Sequence, residues 1–253
     1  MTIFYFTATG NSLSVAKHLG GTLISIPQII NSDNLHYSDD AIGIVFPIYW
    51  WNLPLMVRRF IEKVKFETDY LFAIGTYGSL PGAAMAKLQC QNKHHFAYAN
   101  QLLMLDNYLP VFDMNAQEKS LPKKNIDAKL AKIVADINNR KHMNASAHIG
   151  KRVMTAVFER VFNPRKHPRN FIIDSKCNMC GICKKVCPAQ NIFVSSEIQF
   201  SDRCEGCLAC IHLCPQNAMH HKREKNNKRW RNSEVSLSEI INANSIENEK
   251  RME

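Results

Sequence analysis

Over the first 110 residues, apolar runs alternate with helix-patterned stretches. Thr2–Thr7 is a short run rich in β-branched and aromatic residues, and Leu23–Ile26, Ala41–Phe46, Tyr70–Gly75 and His95–Leu105 read as further strands. Asn11–Gly20 has helical spacing, with Leu13, Ala16 and Val15 or Leu19 on an inner face and Gly20-Gly21 as a stop. Leu55–Val64 and Gly82–Gln91 read as helices as well, whereas Pro27–Asp40 is polar and lacks helical spacing. Continuous apolar strands separated by helices predict an α/β fold, a doubly wound parallel sheet covered on both faces. Ligands of such sheets bind at the carboxyl ends of the strands.

Beyond Gln117 the pattern changes. Ile126, Leu130, Ile133 and Ile137 predict a helix that follows Pro122 and completes the cover of the sheet. After a polar break at Asn138–Ala145, Val153, Val157 and Val161 predict a connecting helix ended by Asn163-Pro164. Residues 221–253 form a polar tail, basic over His221–Arg231 and acidic over Asn232–Glu253. Leu237, Ile240 and Ile241 can dock one short helix there, but mobility is expected. The expected division is 1–145, a helical basic linker at 146–170, a small α+β domain at 171–222 and the tail at 223–253.

The 253 residues carry 32 Lys and Arg against 22 Asp and Glu, a formal charge of +10, and a hydrophobic content of 45% excludes disorder over most of the length. Thirteen of the basic residues and three of the acidic ones lie between Lys119 and Arg169, so the whole excess sits there. No helix-turn-helix, RNA-recognition or zinc-finger signature accompanies it, and no nucleic-acid partner is expected. The most apolar stretch, Ala41–Trp51, is too short to span a membrane and is followed by Asn52, Pro54, Arg58 and Arg59. Met1–Phe6 has no basic region and no small-residue cleavage site, so a reducing cytoplasm is expected. There, clustered cysteines favour metal over disulfides.

Cys90 stands alone and reads as a small buried hydrophobe. The other eight cysteines form two copies of C-x2-C-x2-C-x3-C-P: Cys177, Cys180, Cys183 and Cys187 before Pro188, and Cys204, Cys207, Cys210 and Cys214 before Pro215. Two-residue spacing lets one turn present three thiolates to a cubane, while the fourth cysteine reaches the other cluster. Cys177, Cys180, Cys183 and Cys214 are therefore assigned to one [4Fe–4S] cluster, and Cys204, Cys207, Cys210 and Cys187 to a second. Structural zinc prefers two C-x2-C pairs separated by a longer loop, which this is not. Gly181 and Gly206 allow backbone to pass close to each cluster. From Phe171 to His220 the chain resembles the bacterial two-cluster ferredoxins.

Thr7-Ala8-Thr9-Gly10-Asn11-Ser12 joins the first strand to a helix N-terminus. Its hydroxyls, amide and glycine suit a phosphate, although Asn11 and Ser12 can equally be ordinary capping residues. It has no Walker lysine and is not G-x-G-x-x-G. Two more loops lie at the same sheet edge. Pro47–Pro54 supplies aromatic faces through Tyr49, Trp50 and Trp51, with one of the two tryptophans expected in the core, and Gly75–Gly82 supplies backbone donors. The three loops, in order, resemble those of a flavodoxin over roughly residues 1–140. The resemblance implies non-covalent FMN. It implies Thr7, Thr9, Gly10, Asn11 and Ser12 at the phosphate, and Tyr49, Trp50, Trp51 and Asn52 on one side of the ring. Thr76, Tyr77 and Gly78 are implied at its other side or edge. Asn52 stands where similar proteins commonly have glycine. Tyr108 follows the last strand and can approach the site, or can be a surface tyrosine.

An FMN domain before a two-cluster domain is similar to the flavodoxin–ferredoxin fusion proteins of anaerobic bacteria. This implies an electron carrier that links a low-potential protein partner, acidic if it docks on the basic linker, to an acceptor. The alternatives are a flavin-dependent reductase of a quinone or nitro compound and an iron–sulfur redox sensor. No acid/base pair or catalytic Cys–His pairing stands out.

Overall fold

The structure, a computed structural model, describes residues 1–90 and 92–245. Five strands form one parallel sheet: β1 (Thr2–Tyr5), β2 (Thr22–Ser25), β3 (Ala41–Pro47), β4 (Tyr70–Tyr77) and β5 (Tyr98–Leu103). Their spatial order is β2-β1-β3-β4-β5, the flavodoxin-like winding. Phe4 pairs with Ile44, Val45 with Ile74 and Ile74 with Asn100, so the apolar centres of the strands stay in register.

Side-chain alternation then builds two cores. Phe4, Phe6, Ile44 and Phe46 pack on one face, against α2 (Leu55–Lys63) and α3 (Ala84–Cys90). Ile3, Tyr5, Val45, Phe72 and Ile74 pack on the other, against α1 (Asn11–Leu19) and a later helix at Ile126–Asn138. Each β-α connection leaves the carboxyl ends of the strands at one edge of the sheet. The loops after β1, β3 and β4 meet there.

The polar segment Pro27–Asp40 contains a short turn of helix, Ile26–Ile29, and a strand at His36–Ser38 that pairs in parallel with Lys65–Glu67. An additional helix, α4 (Met114–Lys124), precedes the predicted one, α5 (Ile126–Asn138). Pro122 precedes α5 as expected, and it also sits inside α4, in its last turn, where its missing N–H forgoes one intrahelical bond. Asp113 caps α4 by accepting from Ala116 N at 2.9 Å. The connecting helix, α6 (Ile149–Val161), is followed by a 3-10 segment at Pro164–Asn170.

Residues 171–221 form a small two-fold-like unit. Phe171–Ile173 pairs antiparallel with Met219–His221, and Ile192–Val194 with Ile198–Phe200. Two single-turn helices, Ile182–Lys185 and Ala209–His212, each carry the third cysteine of a motif. Cys90 is exposed rather than buried, at the end of α3. Among the described residues no helix is long and apolar enough to cross a membrane.

The expected mobility of the tail is corrected for residues 223–245; positions 246–253 lie outside the described residues. Leu237–Asn244 forms α7, started by a capping box in which Ser236 accepts from Glu239 N and Glu239 accepts from Ser236 N. Val235 and Ile240 are fully buried, and Lys17 pairs with Glu239 at 2.9 Å. Few apolar residues suffice because the polar ones between them are bonded: Asn232 N donates to Thr9 O at 2.9 Å, and Asn244 Nδ2 to Val186 O at 3.0 Å. Truncating a buried isoleucine costs about 2–5 kcal/mol. Ile240→Ala is therefore expected to lower the thermal midpoint clearly, while exposed Ser238→Ala leaves it within a degree or two. Calorimetry checks this, and equal midpoints would mean that the tail does not dock.

Candidate functional site

The loop Thr7–Ser12 turns from β1 into α1, and Gly10 reaches φ +104° at its bend. A Cβ there would stand 2.9 Å from Cβ of Asn232, because the docked tail lies directly behind the loop. Ser12 and Thr76 share a hydrogen bond of 2.9 Å between hydroxyls, joining this loop to the one after β4. Asn107 Nδ2 donates to Thr9 Oγ1. Thr7 Oγ1 is buried and has no hydrogen-bond partner. A buried hydroxyl at a helix N-terminus, left open in this way, suits an oxygen-rich anion such as a phosphate.

The loop after β3 is a tight turn. Tyr49 and Asn52 exchange two backbone hydrogen bonds of 2.9 Å, and Trp50 and Trp51 between them both have positive φ, +46° and +64°. That double left-handed turn projects two indoles outward. Neither is core; both are half-buried. Trp50 stacks on Phe162 at 3.8 Å and 25°, and Trp51 packs on Phe158 at 4.6 Å.

A cavity of about 500 Å³ lies among these loops. Thr7, Thr9, Asn11 and Ser12 line it, as do Tyr49, Trp50 and Trp51, and Thr76, Tyr77 and Gly78. Gly10 and Asn52 are not among its walls. Gly10 shapes the loop from beneath. Asn52 is turned toward a separate hollow beside Lys87 and Glu159; its Oδ1 accepts from Leu53 N at 3.0 Å, while its buried Nδ2 has no partner.

Other walls came without a sequence signal. Asp106 and Asn107 contribute, and Gly78 packs so closely on Asp106 that a Cβ would stand 2.2 Å from its Cα. Burial raises the Asp106 carboxyl above the usual range, opposed by a hydrogen bond from Tyr108 N and by the charge of Lys124. Tyr108, which the sequence left either near the site or on the surface, lines the cavity, and Phe158 and Phe162 of the linker close one side. Gly206, Cys207 and Leu208 close another. The Trp50 indole lies against the Gly206 backbone so closely that a Cβ would stand 2.3 Å from its ring.

The eight motif cysteines gather around two further, much smaller hollows of about 20 Å³ each. Cys177, Cys180, Cys183 and Cys214 surround the first; Cys187, Cys204, Cys207 and Cys210 surround the second. Backbone N–H groups point at three sulfurs, each at 3.3 Å: Ala218 to Cys214, Asn191 to Cys187 and Gly206 to Cys204. Burial pushes the Cys183 thiol up to about 11 and the Cys204 thiol up to about 12. Such buried thiols become thiolates only beside a strong positive charge. Four thiols lining each hollow make an all-sulfur donor set, which fits an iron–sulfur cluster.

One carboxylate ties the second set to the sheet domain. Pro54, ahead of α2, has no side chain to cap the helix. Glu205 does so from the other domain, accepting from Leu55 N and Met56 N at 2.8 Å each. Its burial raises its pKa to about 7 against those two hydrogen bonds. His212 adds a second tie, donating from Nε2 to Asn107 O at 2.7 Å and accepting from Trp230 N at Nδ1.

A family model described as a 4Fe-4S binding domain matches residues 171–193, which hold the first cysteine motif. No curated protein matches. Among solved structures, a putative flavoprotein from Bacteroides uniformis is 20% identical, with a TM-score of 0.33, over 47% of this chain and 95% of its own. A putative flavoprotein from Bacteroides eggerthii is 19% identical, with a TM-score of 0.32, over 47% and 92%.

His167 sits within the aromatic cluster, 5.1 Å from the Trp50 ring and 5.9 Å from Tyr108, with Nδ1 unpartnered. Burial and then the neighbouring His221 lower its pKa to about 4. The folded state therefore favours neutral His167, a preference fully expressed above its unfolded pKa near 6.5 and lost as pH falls toward 4. The difference amounts to about 3 kcal/mol at most. Urea denaturation between pH 7.5 and 5.5 is expected to show stability falling with pH, with a shallower slope in His167→Gln. An unchanged slope would place the proton elsewhere.

Proposed function

We propose that this chain carries electrons between two [4Fe–4S] clusters and one FMN. The observation that supports it most is that Cys207 and Leu208 line both the large cavity and the second cysteine cavity. The two candidate cofactor sites thus share one wall. When bound, clusters of this type move single electrons and a flavin takes one or two.

In this reading Cys177, Cys180, Cys183 and Cys214 hold the first cluster, and Cys187, Cys204, Cys207 and Cys210 the second. Thr7, Thr9, Asn11 and Ser12 bind the FMN phosphate over the bend at Gly10. Tyr49, Trp50 and Trp51 present aromatic surface to the ring, with Thr76, Tyr77 and Gly78 at its edge. Asn52 supports the turn rather than the ring. Cys180 is exposed, so an external protein partner meets the first cluster there. Lys176 and Lys185 are exposed beside it, which suits an acidic partner. A second reading, reduction of a small oxidant, is favoured by the rim of the large cavity, where Leu80 and Val111 are 65% and 55% exposed.

Anaerobically purified protein is expected to contain about eight iron, eight sulfide and one flavin per chain. Cys180→Ala loses or converts one cluster and keeps the flavin, and Gly10→Val weakens FMN and keeps both clusters. Metal, sulfide and flavin assays with absorption spectra read all three quantities. Protein without iron, or both cluster signatures intact in Cys180→Ala, would overturn the assignment.

A further inference from the structure

Apart from Phe158, which also packs on Trp51, helix α6 turns its apolar side to solvent. Ile149, Val153, Met154, Val157, Phe158 and Val161 fall on one stripe and are 78, 57, 46, 53, 39 and 80% exposed. The opposite side is the one that packs. Thr155 is the buried residue of this helix, and its Oγ1 accepts from Ala83 N at 3.0 Å. Glu159 pairs there with Arg58 at 2.6 Å and with Lys87. An amphipathic helix whose polar side faces the protein has its apolar side prepared for something else.

The charges around the stripe identify that partner. Lys151, Arg152, Arg160, Arg165 and Lys166 are all exposed. Between Ile137 and Ile173 the sole acidic residue is Glu159, already paired on the inner side. A two-fold contact with a second copy would set this basic face against itself. An acidic protein would answer the charge alone; the row of aliphatic side chains beside it is what favours a lipid surface. Exposed apolar side chains on one helix face, with Lys151 at its edge and Arg160 within it, match a surface of diffuse negative charge over an apolar layer. We propose that α6 is an interfacial anchor that lays this protein on an anionic lipid surface. The apolar stripe enters the headgroup layer, and the basic side chains reach the phosphates. Phe158 belongs both to the stripe and to the wall of the large cavity, so the anchor adjoins that cavity. The proposal does not depend on which cofactors are bound.

Flotation of the full chain, purified anaerobically with its cofactors, tests this. Vesicles of phosphatidylcholine alone are compared with vesicles containing about one third phosphatidylglycerol, at about 0.1 M salt. The bound fraction is expected to be about tenfold higher on the anionic vesicles and to fall at high salt. Val153→Glu/Val157→Glu, outside the cavity wall, and Lys151→Glu/Arg160→Glu are each expected to bring it down to the neutral-vesicle level. Iron and flavin contents of the variants are measured in parallel, so loss of docking is distinguished from loss of cofactors. Absence of binding to anionic vesicles would overturn the proposal, as would equal binding by wild type and both variants. So would light scattering that shows a wild-type dimer turned into monomers by Val153→Glu/Val157→Glu, since a second copy would then cover the stripe.

Discussion

Two backbone N–H groups at the start of α2 donate to one carboxylate from the neighbouring domain, and the relation between the candidate sites depends on that contact. Glu205 stands between Cys204 and Gly206, inside the second cysteine loop, and caps Leu55 and Met56. A helix N-terminus needs acceptors and favours negative charge, and the local sequence provides Pro54 instead. The acceptor therefore comes from the other domain, and its burial makes it costly to leave unpaired. With Glu205 seated, Gly206 lies under the Trp50 indole and Cys207 faces the large cavity. Capping, close packing at a glycine and the shared wall are consequences of one four-residue stretch.

The rest of the chain reinforces this closure. The linker stacks Phe162 on Trp50 and Phe158 on Trp51, so the aromatic turn is held from outside the sheet domain. The tail returns across the phosphate-type loop, and Asn244 donates to carbonyls of both Thr7 and Val186, one on each domain. The basic excess between Lys119 and Arg169 falls on the outer side of this arrangement. Four segments distant in sequence thus converge on one cavity.

Much of this was legible in the sequence, because strong local patterns carry it. The five strands follow from apolar runs, and their parallel order from the intervening helices. The C-x2-C-x2-C-x3-C-P repeat selects two sets of four cysteines, and the same sets line the two cavities. What was not legible depends on contacts between segments far apart. The tail reads as polar because three apolar residues and a network of amides replace a hydrophobic stripe, although its capping box, Ser236 to Glu239, is a sequence signal in its own right. Asp106, Phe158 and Phe162 reach the cavity only through tertiary packing, and nothing in their local spacing marks them. Trp50 and Trp51 were expected to diverge, one into the core; consecutive positive φ values place both outside it. Asn52 adopts the turn but lines a separate hollow rather than the cavity, its Oδ1 accepting from Leu53 N.

The central claim is that the two candidate redox sites sharing Cys207 exchange electrons within one chain. Anaerobic stopped-flow mixing with a limiting low-potential reductant tests it most directly, with flavin and cluster absorbance followed separately over a tenfold range of protein concentration. Redistribution between the two signals is expected with a rate constant independent of protein concentration. A rate that rises in proportion to concentration would mean that electrons pass between molecules, and would contradict the account.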